Sequence, residues 1–167
     1  VRLIDGVRPN GRSSGAPRSA GRTGLDALAE AVERNASSDG LPPQTMLPRH
    51  ARVVLMGDFL SPLEEVRATV GRLAAIPVSG HLLQVLDPAE AVLPYSGRVR
   101  FLGLEQDGDT IIPRVESVRA EYERRLVAQQ EGLATICAAA GYSFSIHHTD
   151  QPPETALLGL YTALAPR

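Results

Sequence analysis

Polar side chains that could take part in chemistry follow the carboxyl ends of three predicted strands. Asp58 follows an apolar run at 51–57, and Asp87 follows a second run at 81–86. A third cluster ends a strand near the carboxyl terminus and consists of His147, His148, Thr149 and Asp150. Carboxylates and imidazoles bind metals or transfer protons. In a parallel sheet ligands bind outside the carboxyl ends of the strands, so we expect these groups to share one edge.

Each of these groups also has a purely structural interpretation. Asp58 is either a metal ligand or catalytic acid, or a residue that accepts backbone N–H bonds in its own loop. For Asp87, which precedes Pro88, the turn interpretation is favoured. Adjacent histidines on a strand point to opposite faces, which separates His147 from His148. Asp150 precedes Gln-Pro-Pro and is predicted to be a helix N-cap.

No complete enzyme motif accompanies these residues. Ser61 lacks a surrounding G-x-S-x-G, and Ser61-Pro62-Leu63-Glu64 instead predicts a capped helix start. Cys137 lies on the apolar stripe of a long predicted helix and is expected in the core. Neither a G-x-G-x-x-G motif nor a P-loop lysine occurs in the sequence.

The order of predicted elements defines the fold class. Strands are predicted at 1–7, 51–57, 81–86 and 142–147, a hairpin at 98–113, and helices at 24–35, from Ser61, at 115–140 and from Pro152. Strands that alternate with helices form parallel sheets. We therefore expect an α/β, three-layer Rossmann-like fold: a mostly parallel sheet with helices on both faces and a small β-hairpin insertion.

Composition excludes several classes of protein. The chain of 167 residues has 17 basic and 19 acidic side chains, so its net charge of −2 does not suit neutralisation of duplex phosphates. Aromatic residues make up 4% with no Trp, which leaves few stacking platforms for single strands. A single Cys excludes a disulfide framework. No apolar run approaches about 18 residues and no signal peptide is visible, so we expect a cytoplasmic protein without a membrane span.

Four stretches in this order carry a family resemblance: VVLMGDFLSPLEEV (53–66), GHLLQVLDPAEAVLP (80–94), GRVRFLGLE (97–105) and HHTDQPPETALLGLY (147–161). With them the chain resembles bacterial proteins of unknown function that carry a von Willebrand factor A-type domain and are commonly encoded beside MoxR-type AAA ATPases. GRTGLDAL (21–28) looks like the threonine loop of such domains.

The resemblance implies a metal-ion-dependent adhesion site that holds Mg²⁺ in the complete protein. Carried over by position, Thr23 would be the loop threonine and Asp58 the later aspartate. The Asp-x-Ser-x-Ser motif that supplies the other oxygens is absent from this sequence. For this chain we therefore expect an incomplete metal site and no cofactor.

The same resemblance bears on domain organisation. The chain starts at Val1 within an apolar run, and the family's first strand lies in the middle of the sheet, so we expect a truncated chain. We expect residues 1–167 to form a single partial A-type domain that lacks its first strand, with mobile loops near 8–22 and 36–50. Self-association of the fragment through the resulting gap is a corollary.

Two functions from different classes follow. The first is a non-enzymatic protein-interaction module, an adaptor-like partner of a MoxR-type ATPase. The alternative is a small metal-dependent hydrolase that uses Asp58, Asp87 and the His147–Asp150 cluster, which requires those groups to converge.

Overall fold

Nine helices and strands lie in the part of the chain that the structure, a computed structural model, describes, namely residues 47–102 and 109–165. The strands are β1 (Arg52–Gly57), β2 (Ser79–Leu86), β3 (Val99–Leu102), β4 (Asp109–Ile112) and β5 (Ser143–His148). The helices are α1 (Leu63–Ala74), α2 (Pro88–Val92), α3 (Glu116–Ala139) and α4 (Pro153–Leu164).

The main sheet is parallel and has the order β1-β2-β5. Its register pairs Leu55 of β1 with Leu82 of β2, and Leu82 with Phe144 of β5. β3 and β4 pair antiparallel in a separate two-stranded sheet. The predicted α/β class is thus confirmed: a Rossmann-like parallel sheet flanked by helices, with a small antiparallel hairpin.

The core lies between the sheet and the helices that connect its strands. α1 packs against α3, α3 against β5, and α4 against β2 and β5. The largest side chains with almost no exposed surface are Leu82, Leu86, Leu133, Gln84, Val66, Val70, Val115 and Cys137. The apolar stripes predicted for α1 and for the long helix supply five of them, namely Val66, Val70, Val115, Leu133 and Cys137.

The burial of β1 differs from the sequence-based expectation. Its continuous apolar run predicts a strand buried on both faces, yet only Leu55 is buried and Met56 is 60% exposed. Within the described ranges β1 pairs with β2 alone and is therefore an edge strand. An apolar run does not distinguish an edge strand from a central one.

Two predicted N-caps are wrong, and proline explains one of them directly. α1 begins at Leu63 with Pro62 as its N-cap residue, so Ser61 makes no capping hydrogen bond. α4 begins at Pro153 with Pro152 as its N-cap residue, so Asp150 does not cap it. A residue before proline is held in extended conformation, which prevents the helix from starting ahead of Pro153.

Several predicted features lie outside the described residues: the strand at 1–7, the helix at 24–35, the loop at 8–22, most of the loop at 36–50, and the hairpin turn. From Pro48 onward, the described residues belong to one compact unit. No helix in the described ranges is long and apolar enough to cross a membrane.

Candidate interaction site at the carboxyl edge of the sheet

The three polar groups predicted to share an edge do follow parallel neighbouring strands. Asp58 follows β1, Asp87 follows β2, and Thr149 follows β5. The Thr149 N–H donates to the Leu86 carbonyl at 3.0 Å, and the Thr149 hydroxyl lies 3.4 Å from Asp87 Oδ2. We call this set, Asp58, Asp87 and the segment from His147 to Asp150, the carboxyl edge.

Asp87 has a structural role, as the sequence favours, but it caps a short helix, α2, where the sequence predicts a turn. Its Oδ1 accepts a hydrogen bond from the Ala89 N–H at 2.7 Å, and Glu90 Oε2 accepts one from the Asp87 N–H at 3.1 Å. These reciprocal bonds form a capping box at the start of α2. Both carboxylates remain exposed, so the cap leaves negative charge on the carboxyl edge.

Asp58 combines a local bond with exposure. Its Oδ1 accepts from the Leu60 N–H at 3.3 Å, which is the turn-forming contact that the structural interpretation requires. The side chain is nevertheless exposed at the end of β1. We refer to residues 58–62, which connect β1 to α1, as the Asp58 loop.

The His147–Asp150 cluster does not assemble into a metal site. His147 and His148 are consecutive on β5 and half-buried, and they pair with Val85 and Leu86 of β2 respectively. Within residues 47–102 and 109–165, no group of three or more His, Cys, Asp or Glu side chains is placed to hold a metal ion. No hydrogen bond joins Asp58 to Asp87 or to this cluster in the same ranges.

The donor set around Asp58 does not by itself fit Mg²⁺. Mg²⁺ takes near-octahedral oxygen ligation, and here one carboxylate is present, with one oxygen already bonded to a backbone N–H. Thr23, the other residue implied by the resemblance, lies outside the described residues. The pairing of Thr23 with Asp58 therefore stays a prediction.

Two glutamines that the sequence analysis does not single out hold the Asp58 loop. Gln84 Nε2 donates to the Asp58 carbonyl at 2.7 Å. Gln129 Nε2 donates to the carbonyls of Phe59 and Ser61, both at 2.9 Å. Gln84 is detectable in principle, as an amide inside the apolar strand HLLQVL, whereas Gln129 stands on a polar stretch of α3 and gives no such signal.

Three other titratable groups are buried in the core of the described unit, namely His81, Cys137 and Tyr142. Burial lowers the pKa of His81, whose ring nitrogens lie 2.7 Å from Ser143 Oγ and 2.8 Å from Ser145 Oγ. Cys137 is buried as predicted, and burial raises the pKa of its thiol to about 11. A thiol with that pKa stays protonated near neutral pH and is a core group, not a nucleophile.

Fold and site together define the class: an α/β domain with a parallel sheet whose carboxyl edge carries exposed acidic groups on a capped helix start and a tightly held loop. The family described as "Protein of unknown function DUF58" matches residues 14–132, and the chain belongs to that family. Neither a curated protein nor a solved structure matches the chain.

Proposed function

We propose that this domain is a non-enzymatic protein-interaction module, an adaptor-like partner of a MoxR-type AAA ATPase, and that its carboxyl edge contacts the partner. The observation that carries the proposal is that Asp58, Asp87 and Thr149 follow three neighbouring parallel strands at one edge of the sheet, with Asp58 and Asp87 held in preformed local structures. Binding residues are commonly placed on loops that a rigid scaffold positions. The resemblance to ATPase-associated A-type domains supplies the class of partner.

The charge of the edge supports a partner surface of opposite sign. Asp58 and Asp87 are exposed there, and Glu64 and Glu90 are exposed in the first turns of the helices that start beside them. Negatively charged side chains near a helix N-terminus interact favourably with the helix dipole. We infer that the partner presents Arg or Lys side chains, which predicts faster association at low salt.

Among the described residues, those around Asp58 do not complete a site for Mg²⁺, so we infer that the contact is made by side chains and not through a metal ion. Binding is therefore expected to persist in EDTA.

Biolayer interferometry with the full chain and the MoxR-type ATPase from the same genome tests the proposal. We expect Asp58→Asn to weaken binding about tenfold, which corresponds to about 1.4 kcal/mol. The matched control is Glu131→Gln, which removes an exposed carboxylate from the middle of α3 and should leave the Kd unchanged.

Two results would contradict the adaptor. One is equal affinity of the wild type and Asp58→Asn for the ATPase. The other is a hydrolytic turnover in a broad ester, phosphoester and peptide screen that Asp58→Asn abolishes, which would favour the metal-dependent hydrolase.

A further inference from the structure

The backbone of the Asp58 loop adopts a conformation that the sequence alone does not favour. Phe59 has φ = 50°, in the left-handed region that non-glycine residues rarely occupy. Its side chain is buried, with 7% of its surface exposed. A bulky residue in this region persists only when its surroundings over-determine it, and such positions cluster at functional sites.

The surroundings that hold the loop are two amide side chains from different elements. Gln84 reaches the Asp58 carbonyl from β2, and Gln129 reaches the Phe59 and Ser61 carbonyls from α3. Only the amide nitrogen can donate to a carbonyl, so these contacts fix the orientation of both side chains. The two hydrogens of Gln129 Nε2 match its two acceptors, and three carbonyls of a five-residue loop are thereby held.

The groups that the loop presents outward are the ones a partner would meet. The Asp58 carboxylate is exposed and accepts from the Leu60 N–H, so its orientation depends on the loop backbone. The Leu60 side chain is 48% exposed beside it. A carboxylate next to an apolar side chain forms a small mixed contact surface at the end of β1.

Burial of the Gln84 amide lowers the stability of the fold, so packing alone does not explain a glutamine at this position. It has no exposed surface, and its Oε1 lacks a hydrogen-bond partner within the described residues. A buried acceptor without a partner is destabilising, and an apolar side chain of similar size avoids that penalty. The loop contact made by Nε2 is what the glutamine adds over a leucine at this place.

We propose that Gln84 and Gln129 are positioning residues that preorganise the Asp58 loop for partner binding. The expected change in affinity for the ATPase rests on the proposed function. The expected change in backbone order of the loop rests on the loop geometry alone. By holding the carbonyls inward, the two amides reduce the entropy lost when the loop binds. Neither glutamine needs to contact the partner.

The test uses the full ¹⁵N-labelled chain and two variants, Gln84→Leu and Gln129→Glu. Gln84→Leu removes the donor and the unpartnered acceptor together, and Gln129→Glu replaces the donor with a group that repels carbonyls. The control is Gln130→Glu, at the neighbouring half-buried position of α3, for which the structure shows no hydrogen bond to the loop.

In both variants we expect the backbone order parameters of Phe59 and Leu60 to fall from about 0.85 to below about 0.6. Affinity for the MoxR-type ATPase should weaken about tenfold. Gln84→Leu should keep or raise the Tm while it weakens binding. A merely structural role would lower stability and binding together. The control should match the wild type in every measurement.

The results separate the two claims. If the wild type does not bind the ATPase, the proposed function fails, and the order parameters still decide whether the glutamines hold the loop. Unchanged order in Gln84→Leu overturns the positioning role even if Gln129→Glu fails to fold. Wild-type affinity in a folded variant whose loop has become mobile overturns it as well.

Discussion

At the scale of single residues, three polar side chains, His81, Gln84 and Gln129, make hydrogen bonds to distant parts of the chain. His81 lies on β2 between two serine hydroxyls of β5, and Gln84 and Gln129 reach the loop after β1. His81 and Gln84 have little or no exposed surface. These side chains connect β2 to β5, and β2 and α3 to the Asp58 loop, by hydrogen bonds whose loss can be measured.

The pH dependence of stability reports on His81. Burial lowers its folded-state pKa below the ordinary value of 6.5, so the unfolded chain binds the proton more readily. We expect the free energy of unfolding to fall as the pH decreases from 6.5 through the lower folded-state pKa. Urea denaturation of the wild type and His81→Gln between pH 7.5 and 5.5 measures this, and equal slopes for both proteins would contradict it.

Gly80 is required by a close approach of Tyr142. A Cβ at Gly80 would lie 2.1 Å from a ring carbon of Tyr142, which is itself buried. Gly80→Ala should destabilise the fold by roughly 1–3 kcal/mol through overpacking. Gly71→Ala is the matched control, since a Cβ there meets open space on α1, and it should stabilise by about 0.5–1 kcal/mol. Chemical denaturation measures the free energy of unfolding of both variants. Equal changes in the two would argue against the close contact between Gly80 and Tyr142.

At the scale of secondary-structure elements, local patterns predict the strands and helices correctly, whereas the two N-caps predicted at Ser61 and Asp150 are wrong. The strands at 51–57 and 81–86 and the apolar stripe of α3 each depend on neighbours within a few positions, and each appears in the structure. The edge position of β1 and the loop contacts of Gln129 do not follow from sequence. They depend on strand order and on residues about 70 positions apart.

The two aspartates that precede proline-containing helix starts provide a contrast between a real cap and an apparent one. Asp87 forms a capping box, whereas the sequence-predicted cap Asp150 does not bond to α4. Asp87→Ala should cost about 1 kcal/mol, and Asp150→Ala should stay within about 0.5 kcal/mol of the wild type. Urea midpoints of the two variants measure the difference, and a larger loss for Asp150→Ala would contradict the assignment.

At the scale of the whole described unit, the carboxyl edge is bordered by a segment fixed to α3. Arg119 donates from Nε to the Leu93 carbonyl at 3.1 Å and from Nη2 to the Tyr95 carbonyl at 2.7 Å. The Tyr122 hydroxyl donates to the Glu90 carbonyl at 2.5 Å. The capped helix that carries Asp87 and the glutamine-held loop that carries Asp58 are therefore both anchored, as a preformed binding surface requires.

The most direct test of the central claim is hydrogen–deuterium exchange of the full chain with and without the MoxR-type ATPase. We expect slower exchange on binding in the segments that form the carboxyl edge, namely 57–62, 86–91 and 147–152. Protection confined to the opposite edge, at 48–51, 75–79 and 140–142, with the carboxyl edge unchanged, would contradict it.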